Sequence, residues 1–150
     1  MWNVSAVVLP NGAKSLYEYN QDNHMSRMTD ALGNKTEFRY DVNGKCIAET
    51  DCMGSKEFSY DVVGRLVQVK EPNGGITKYE YDAEDHVIHI IDPMNNEVHL
   101  EYDKVGNLLV ERNNLGEMRI YTYTTLGNID TVTDESGLVI KYKYLPGEEK

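Results

Sequence analysis

Cysteine is nearly absent from this chain, with two residues in 150, which excludes a disulfide-knit scaffold. Cys46 and Cys52 lie too far apart to pair along an extended chain. Six residues of strand span about 20 Å, against a Cα limit of about 7 Å for a disulfide. Both are expected as free thiols, Cys46 serving as a small apolar residue. Cations are scarce as well: 15 Lys and Arg against 25 Asp and Glu give a formal net charge of -10. Nucleic-acid and anionic-membrane surfaces need clustered basic residues, so neither partner is expected. The mean hydropathy is -0.56, and no apolar run approaches the roughly 18 residues of a membrane helix. Met1-Trp2-Asn3-Val4 lacks the basic flank and apolar stretch of a signal peptide, so any export signal is expected outside this stretch. No segment carries an apolar i, i+3, i+4 stripe with caps, and almost no helix is expected.

Catalytic signatures are missing too. The sequence contains no phosphate loop, HExxH or recognisable Ser/His/Asp arrangement, and its acidic residues scatter too widely to nominate a general acid and base. No catalytic residue, cofactor or metal site is expected. His86, His89 and His99 fall within fourteen residues. Residues three apart on a strand face opposite sides, so His86 and His89 do not share an ion and read as solvated strand histidines. Asp41-x-Asn43-Gly44 is similar to the start of a calcium loop. Cys52 stands where such a loop needs its bidentate Glu, so the acidic segments read as turns in which Asp and Asn bind their own backbone.

Tyrosine is the abundant residue, with eleven copies against two Phe and one Trp. Tyr19, Tyr40, Tyr60, Tyr81, Tyr102, Tyr123 and Tyr144 recur at intervals of 21, 20, 21, 21, 21 and 21 residues. Tyr17, Tyr79, Tyr121 and Tyr142 precede register tyrosines by two residues, and Phe38, Phe58 and Leu100 fill that slot elsewhere. Glycine follows the same period. Gly44, Gly64, Gly106 and Gly127 lie four residues after a register tyrosine, with Asn23 and Asp85 in that place in two units. Gly33, Gly54, Gly74, Gly116 and Gly137 lie fourteen after, with Asn95 as the exception. Such a period marks a repeat architecture.

Each unit reads as a β-hairpin. Thr77, Tyr79 and Tyr81 alternate with Lys78 and Glu80, and Val98, Leu100 and Tyr102 with His99 and Glu101. Ile140, Tyr142 and Tyr144 alternate likewise with Lys141 and Lys143. This is the pattern of strands buried on one face. Aliphatic and β-branched residues at 65–70, 107–111 and 128–133 supply the companion strands. Leu66 and Val69 differ in parity, which predicts a bulge between them. Two turn types alternate: Asp-x-x-Gly, as in Asp61 to Gly64, and Pro-containing turns such as Glu71-Pro72-Asn73-Gly74 and Asp92-Pro93-Met94-Asn95. The tyrosine registers could present rings to a carbohydrate or extended peptide. Their persistence through every unit favours cross-strand aromatic ladders that hold the hairpins in register.

Tyr40-Asp41-x-x-Gly44, Tyr60-Asp61-x-x-Gly64-Arg65-Leu66, Tyr81-Asp82 and Tyr102-Asp103-x-x-Gly106-Asn107-Leu108 carry a resemblance to the RHS/YD-repeat family. Tyr123-Thr124-x-x-Gly127-Asn128-Ile129 continues the series, and the likeness extends over residues 2–144. The resemblance implies an all-β array of tandem hairpins spiralling into a hollow shell. In bacterial members the shell encloses a C-terminal toxin domain, in insecticidal toxin complexes a cytotoxic region, and in teneurins it forms an extracellular barrel. It also implies a secreted or surface location. About fourteen strands at roughly 4.8 Å would make a strip on the order of 65 Å long, which strand twist would coil. Some relatives cleave themselves near a D-P-x-G sequence at the end of the shell. Asp92-Pro93 lies mid-array without the glycine and reads as a turn. Residues 1–150 are thus expected to be one repeat array of about seven units, a non-catalytic fragment of a larger protein. Its expected partners are neighbouring repeats and an enclosed toxin domain, with self-association through open sheet edges. The alternative is an adhesion or carbohydrate-binding surface.

Overall fold

The computed structural model describes residues 3–145; Trp2 and the exit turn at Pro146-Gly147 lie outside them. Among the described residues there is no helix. Fourteen strands follow one another: β1 (Ala6–Val8), β2 (Lys14–Tyr19), β3 (Met25–Thr29), β4 (Lys35–Tyr40), β5 (Cys46–Asp51), β6 (Gly54–Tyr60) and β7 (Leu66–Lys70) come first. They are followed by β8 (Ile76–Tyr81), β9 (Val87–Ile91), β10 (Glu97–Tyr102), β11 (Leu108–Asn113), β12 (Met118–Tyr123), β13 (Ile129–Thr133) and β14 (Val139–Lys141). The chain divides into two compact units, Met1–Ile76 and Thr77–Lys150. Within each of its two units, sheet order equals chain order, as short hairpin connections dictate.

In the first unit each register tyrosine ends its strand at a bulge. Tyr60 pairs with Leu66 while Ser59 pairs with Gln68, leaving Val67 as the extra residue on β7. The parity mismatch between Leu66 and Val69 is explained by this bulge. Tyr19 and Tyr40 repeat it opposite Met25 and Cys46. In the second unit Tyr81, Tyr102 and Tyr123 repeat it opposite Val87, Leu108 and Ile129. A bulge of this kind raises local twist, so the repeat places the strongest twist at the tyrosine end of each hairpin.

The two turn types share one hydrogen-bond scheme despite their different sequences. Asp41 N–H donates to the Lys45 carbonyl and Gly44 N–H to the Asp41 carbonyl. Asp92, Asn96 and Asn95 do the same at the other end of a hairpin. The residue that closes each turn has a positive φ, whether it is Gly44 at 80° or Asn95 at 61°. Asn and Asp tolerate that region best among non-glycine residues, which is why they replace glycine at three turns, Asn23, Asp85 and Asn95. The single 20-residue interval is absorbed at residues 51–54, where Asp51 pairs directly with Gly54 and the hairpin turns one residue earlier.

The alternating strands are clear in β8, where Thr77, Tyr79 and Tyr81 are half-buried and Lys78 and Glu80 exposed. The buried face is thinner than the sequence suggests. Only Ala48 and Val69 are buried apolar residues among those described. A single layer of sheet leaves each side chain covered by its strand neighbours alone. In β14 and just beyond it even the alternation fades: Ile140, Tyr142 and Tyr144 are all exposed.

Candidate functional site: the inter-hairpin ladder

Two sets of contacts join hairpins to their neighbours and a third fixes the turns, and all originate in the repeat motif. The first is the tyrosine hydroxyl. Tyr60 Oη donates to the Cys46 carbonyl at 2.8 Å, and Tyr40 Oη to the Met25 carbonyl at 2.8 Å. Tyr123 and Tyr144 donate to the Leu108 and Ile129 carbonyls, both at 2.8 Å. Tyr19 reaches Val4 at 3.0 Å. The acceptors Met25, Cys46, Leu108 and Ile129 are the residues opposite the preceding register tyrosine at its bulge. Each hydroxyl therefore latches one hairpin onto the bulge of the hairpin before it. Partial burial raises the phenol pKa of Tyr40, Tyr60, Tyr102 and Tyr123 above its ordinary value, as desolvation of a phenolate requires. Burial likewise pushes the Cys46 thiol up, and Cys46 and Cys52 are both free.

The second set comes from the residue five places after a register tyrosine. His24 stacks on Tyr40 and His86 on Tyr102, each with ring centroids 4.8 Å apart. Lys45 lies over the Tyr60 ring at 5.2 Å and donates from Nζ to the Gly64 carbonyl at 2.8 Å. These straps cross the turn glycine of the next hairpin. A Cβ at Gly44 would lie 2.8 Å from the His24 ring, and one at Gly64 would lie 2.6 Å from the Lys45 chain. Those glycines thus answer both a positive φ and a close approach.

The third set fixes the turns themselves. Asp61 Oδ1 accepts the Val63 and Arg65 amides, and its Oδ2 accepts Arg65 Nε at 2.7 Å. Asp103 binds the Val105 and Asn107 amides and the Asn107 side chain in the same way. Asp92 repeats this with Met94 and Asn96. The side chain four residues on, then its amide, holds Asp61, Asp92 and Asp103 below the ordinary carboxylate pKa. The acidic segments are turns stapled by their own aspartates, and the Asp92-Pro93 pair is one of them.

The structure gathers Tyr19, Tyr40, Tyr60, Tyr102, Tyr123 and Tyr144 into this ladder, and Tyr81 occupies the same bulge position. Gly33, Gly74, Gly116 and Gly137 sit in open hairpin turns with nothing within 4 Å of an added Cβ, whereas Gly54 faces Pro72. The sequence reading overlooked the straps, although His24, Lys45 and His86 share one slot, five residues after a register tyrosine. It also overlooked the histidine geometry. His89 is enclosed, with 15% of its side chain exposed, and its partner is His99 across the strand pair, not His86. His86 instead bonds Asp82 through Nδ1 at 2.9 Å. A further feature without a sequence reading is the apolar turn tip: Val42, Val62, Val105 and Leu126 are almost fully exposed.

Residues 16–111 match the teneurin YD-shell family. No curated protein matches the chain. Among solved structures, the crystal structure of TcdB2-TccC3-Cdc42 aligns at 24% identity with a TM-score of 0.71, over 81% of this chain and 7% of that one. TcdB2-TccC3 without its hypervariable C-terminal region gives the same identity, TM-score and coverage. A Tc holotoxin pore from Photorhabdus luminescens aligns at 24% identity and a TM-score of 0.70, again over 81% and 7%. This chain therefore spans about a fourteenth of the length of those structures, and the likeness is one of fold. With its register tyrosines, bulges and stapled turns in the order the motif requires, the chain belongs to the YD-shell family.

Proposed function

We propose that this chain is a segment of a non-catalytic β-shell wall, and that the wall encloses a toxin domain carried toward the C-terminus of the parent protein. The observation that carries the reading is the ladder: the tyrosine hydroxyls and the straps bind one hairpin to the next, and the stapled turns hold each hairpin's own shape. A wall needs that property along its whole length, because an isolated hairpin is marginal in water and solenoid-like arrays gain stability from neighbours. The mechanism is steric. A continuous hydrogen-bonded wall separates the enclosed domain from solvent and from its targets until the wall opens.

Membership of the YD-shell family supports the wall. The fold shared with TcdB2-TccC3, a protein with a hypervariable C-terminal region, supports a domain inside it. The same likeness supports an extracellular or secreted setting. The adhesive reading is less well served by the site. Tyr40, Tyr60 and Tyr102 each have a ring face occupied by a strap, and the Tyr40 and Tyr60 hydroxyls are committed to backbone carbonyls. In those units one ring face, and at Tyr40 and Tyr60 the polar tip, are already taken.

Limited proteolysis of the full-length gene product tests the proposal. With the array intact, the segment C-terminal to it should resist cleavage, and it should become sensitive when the wall is opened by destabilising substitutions such as Tyr60→Ala with Tyr123→Ala. Equal cleavage in both states would remove the enclosure and bring the adhesive reading forward.

A further inference from the structure

We propose that His89, His99 and Glu97 bind a divalent transition-metal ion of the zinc class, with Glu80 orienting His89. His89 on β9 and His99 on β10 face each other directly across the antiparallel pair, their rings stacked with centroids 4.2 Å apart and planes 10° from parallel. Glu97 precedes His99 by two residues and so shares its face. Glu97 Oε2 lies 3.3 Å from His89 Nε2 and 3.5 Å from His99 Nε2. Two ligand atoms each about 2.1 Å from a tetrahedral zinc ion are about 3.4 Å apart. Two of the three ligand separations are therefore already at the coordinating distance. All three atoms lie within 4.8 Å of one another, so the histidine–histidine edge is the one that closes. His99 can supply that movement by turning about its Cβ–Cγ bond, because half of its side chain is exposed.

Glu80 provides the outer contact that such sites use. Its Oε2 lies 3.3 Å from His89 Nδ1. A carboxylate on Nδ1–H fixes the tautomer that leaves Nε2 free as the metal-binding nitrogen. Two imidazoles and one carboxylate form a borderline donor set, which suits zinc, cobalt or nickel over the all-oxygen sites of calcium and magnesium. The exposed side of His99 leaves a fourth position for water.

The repeat itself does not call for these histidines. His89 stands eight residues after its register tyrosine, a slot held elsewhere by Arg27, Ala48, Gln68, Val110 and Thr131. At Arg27 the slot is flanked by two carboxylates, Glu18 at 3.2 Å and Glu37 at 2.7 Å, and forms an ion-pair triad. Around His89 the same slot holds a second histidine beside the two carboxylates, and the set becomes one that can ligate. A bound ion would staple β9 to β10 at mid-strand.

A histidinium–carboxylate network would use the same distances, and the test separates the two. The full chain, freed of metal with a chelator, is titrated with zinc ion alone at pH 7.5 in excess magnesium by calorimetry. Cobalt(II) absorption reports the coordination geometry. One zinc per chain and a tetrahedral cobalt spectrum are expected. His99→Gln should lower affinity at least tenfold and abolish that spectrum, and its exposed position keeps the variant folded. Glu80→Gln should weaken binding by about 10- to 100-fold, as loss of an outer-shell partner does. His86→Gln should leave binding unchanged. No zinc binding in the wild-type chain, or binding that survives His99→Gln, would overturn the site and leave the charged network in its place.

Discussion

The Tyr60 hydroxyl is held by a single backbone acceptor, the Cys46 carbonyl, and its removal isolates the latch from the ring. Tyr60→Phe is expected to cost about 0.5–1.5 kcal/mol, read as a lowered urea midpoint with an unchanged slope. Lys78→Ala, on the exposed side of β8, should stay within about 0.5 kcal/mol. The turn aspartates set the acid limit. Asp30, Asp61, Asp92 and Asp103 all have folded pKa values below the ordinary one. The folded state thus binds these protons less tightly than the unfolded chain. Stability is fully present above about pH 3.9, the unfolded aspartate value, and is lost as pH falls through the lower folded values. A circular-dichroism titration should show this loss, and Asp103→Ala should flatten it. The raised phenol values work in the opposite range: stability holds below about pH 10 and declines as pH rises toward the folded values.

Between residue and molecule the unit of argument is the hairpin, and two glycines separate its requirements. Gly44 and Gly116 have φ values of 80° and 85°. A Cβ at Gly44 meets the His24 ring at 2.8 Å, whereas one at Gly116 meets nothing. Gly116→Ala should therefore cost only the conformational term, about 1–2 kcal/mol, and Gly44→Ala should cost more. In a double-mutant cycle, His24→Ala should relieve part of the Gly44→Ala penalty and none of the Gly116→Ala penalty. At this scale the sequence was informative because the period was carried by residues with a geometric reason to recur. Tyrosine and glycine spacing located the repeat and both turn types, alternation located the strands, and the parity of Leu66 and Val69 located a bulge. What it did not reveal were contacts between residues in different hairpins. The stacking of His24 on Tyr40 and the pairing of His89 with His99 depend on register across strands, and a bulge in every hairpin shifts that register by one residue. Counting along one strand placed His86 and His89 on opposite faces and could not see the partner opposite.

For the molecule as a whole, the thin core is the informative feature. With only Ala48 and Val69 buried among its described apolar residues, the array depends on lateral coupling along the sheet, and its terminal strands have a neighbour on one side. Val8, Val139 and Ile140 are each more than half exposed there. Sedimentation velocity on the isolated chain should show concentration-dependent association, reduced by Ile140→Lys, since charged residues on an edge discourage strand pairing. The family and the ladder support a wall, and enclosure is the part of the account that most needs a direct view. An electron cryomicroscopy map of the full-length gene product would provide it. The account predicts residues 3–145 as part of a closed β wall around density that the repeats do not fill. An array standing free, with solvent on both faces and no enclosed density, would contradict it.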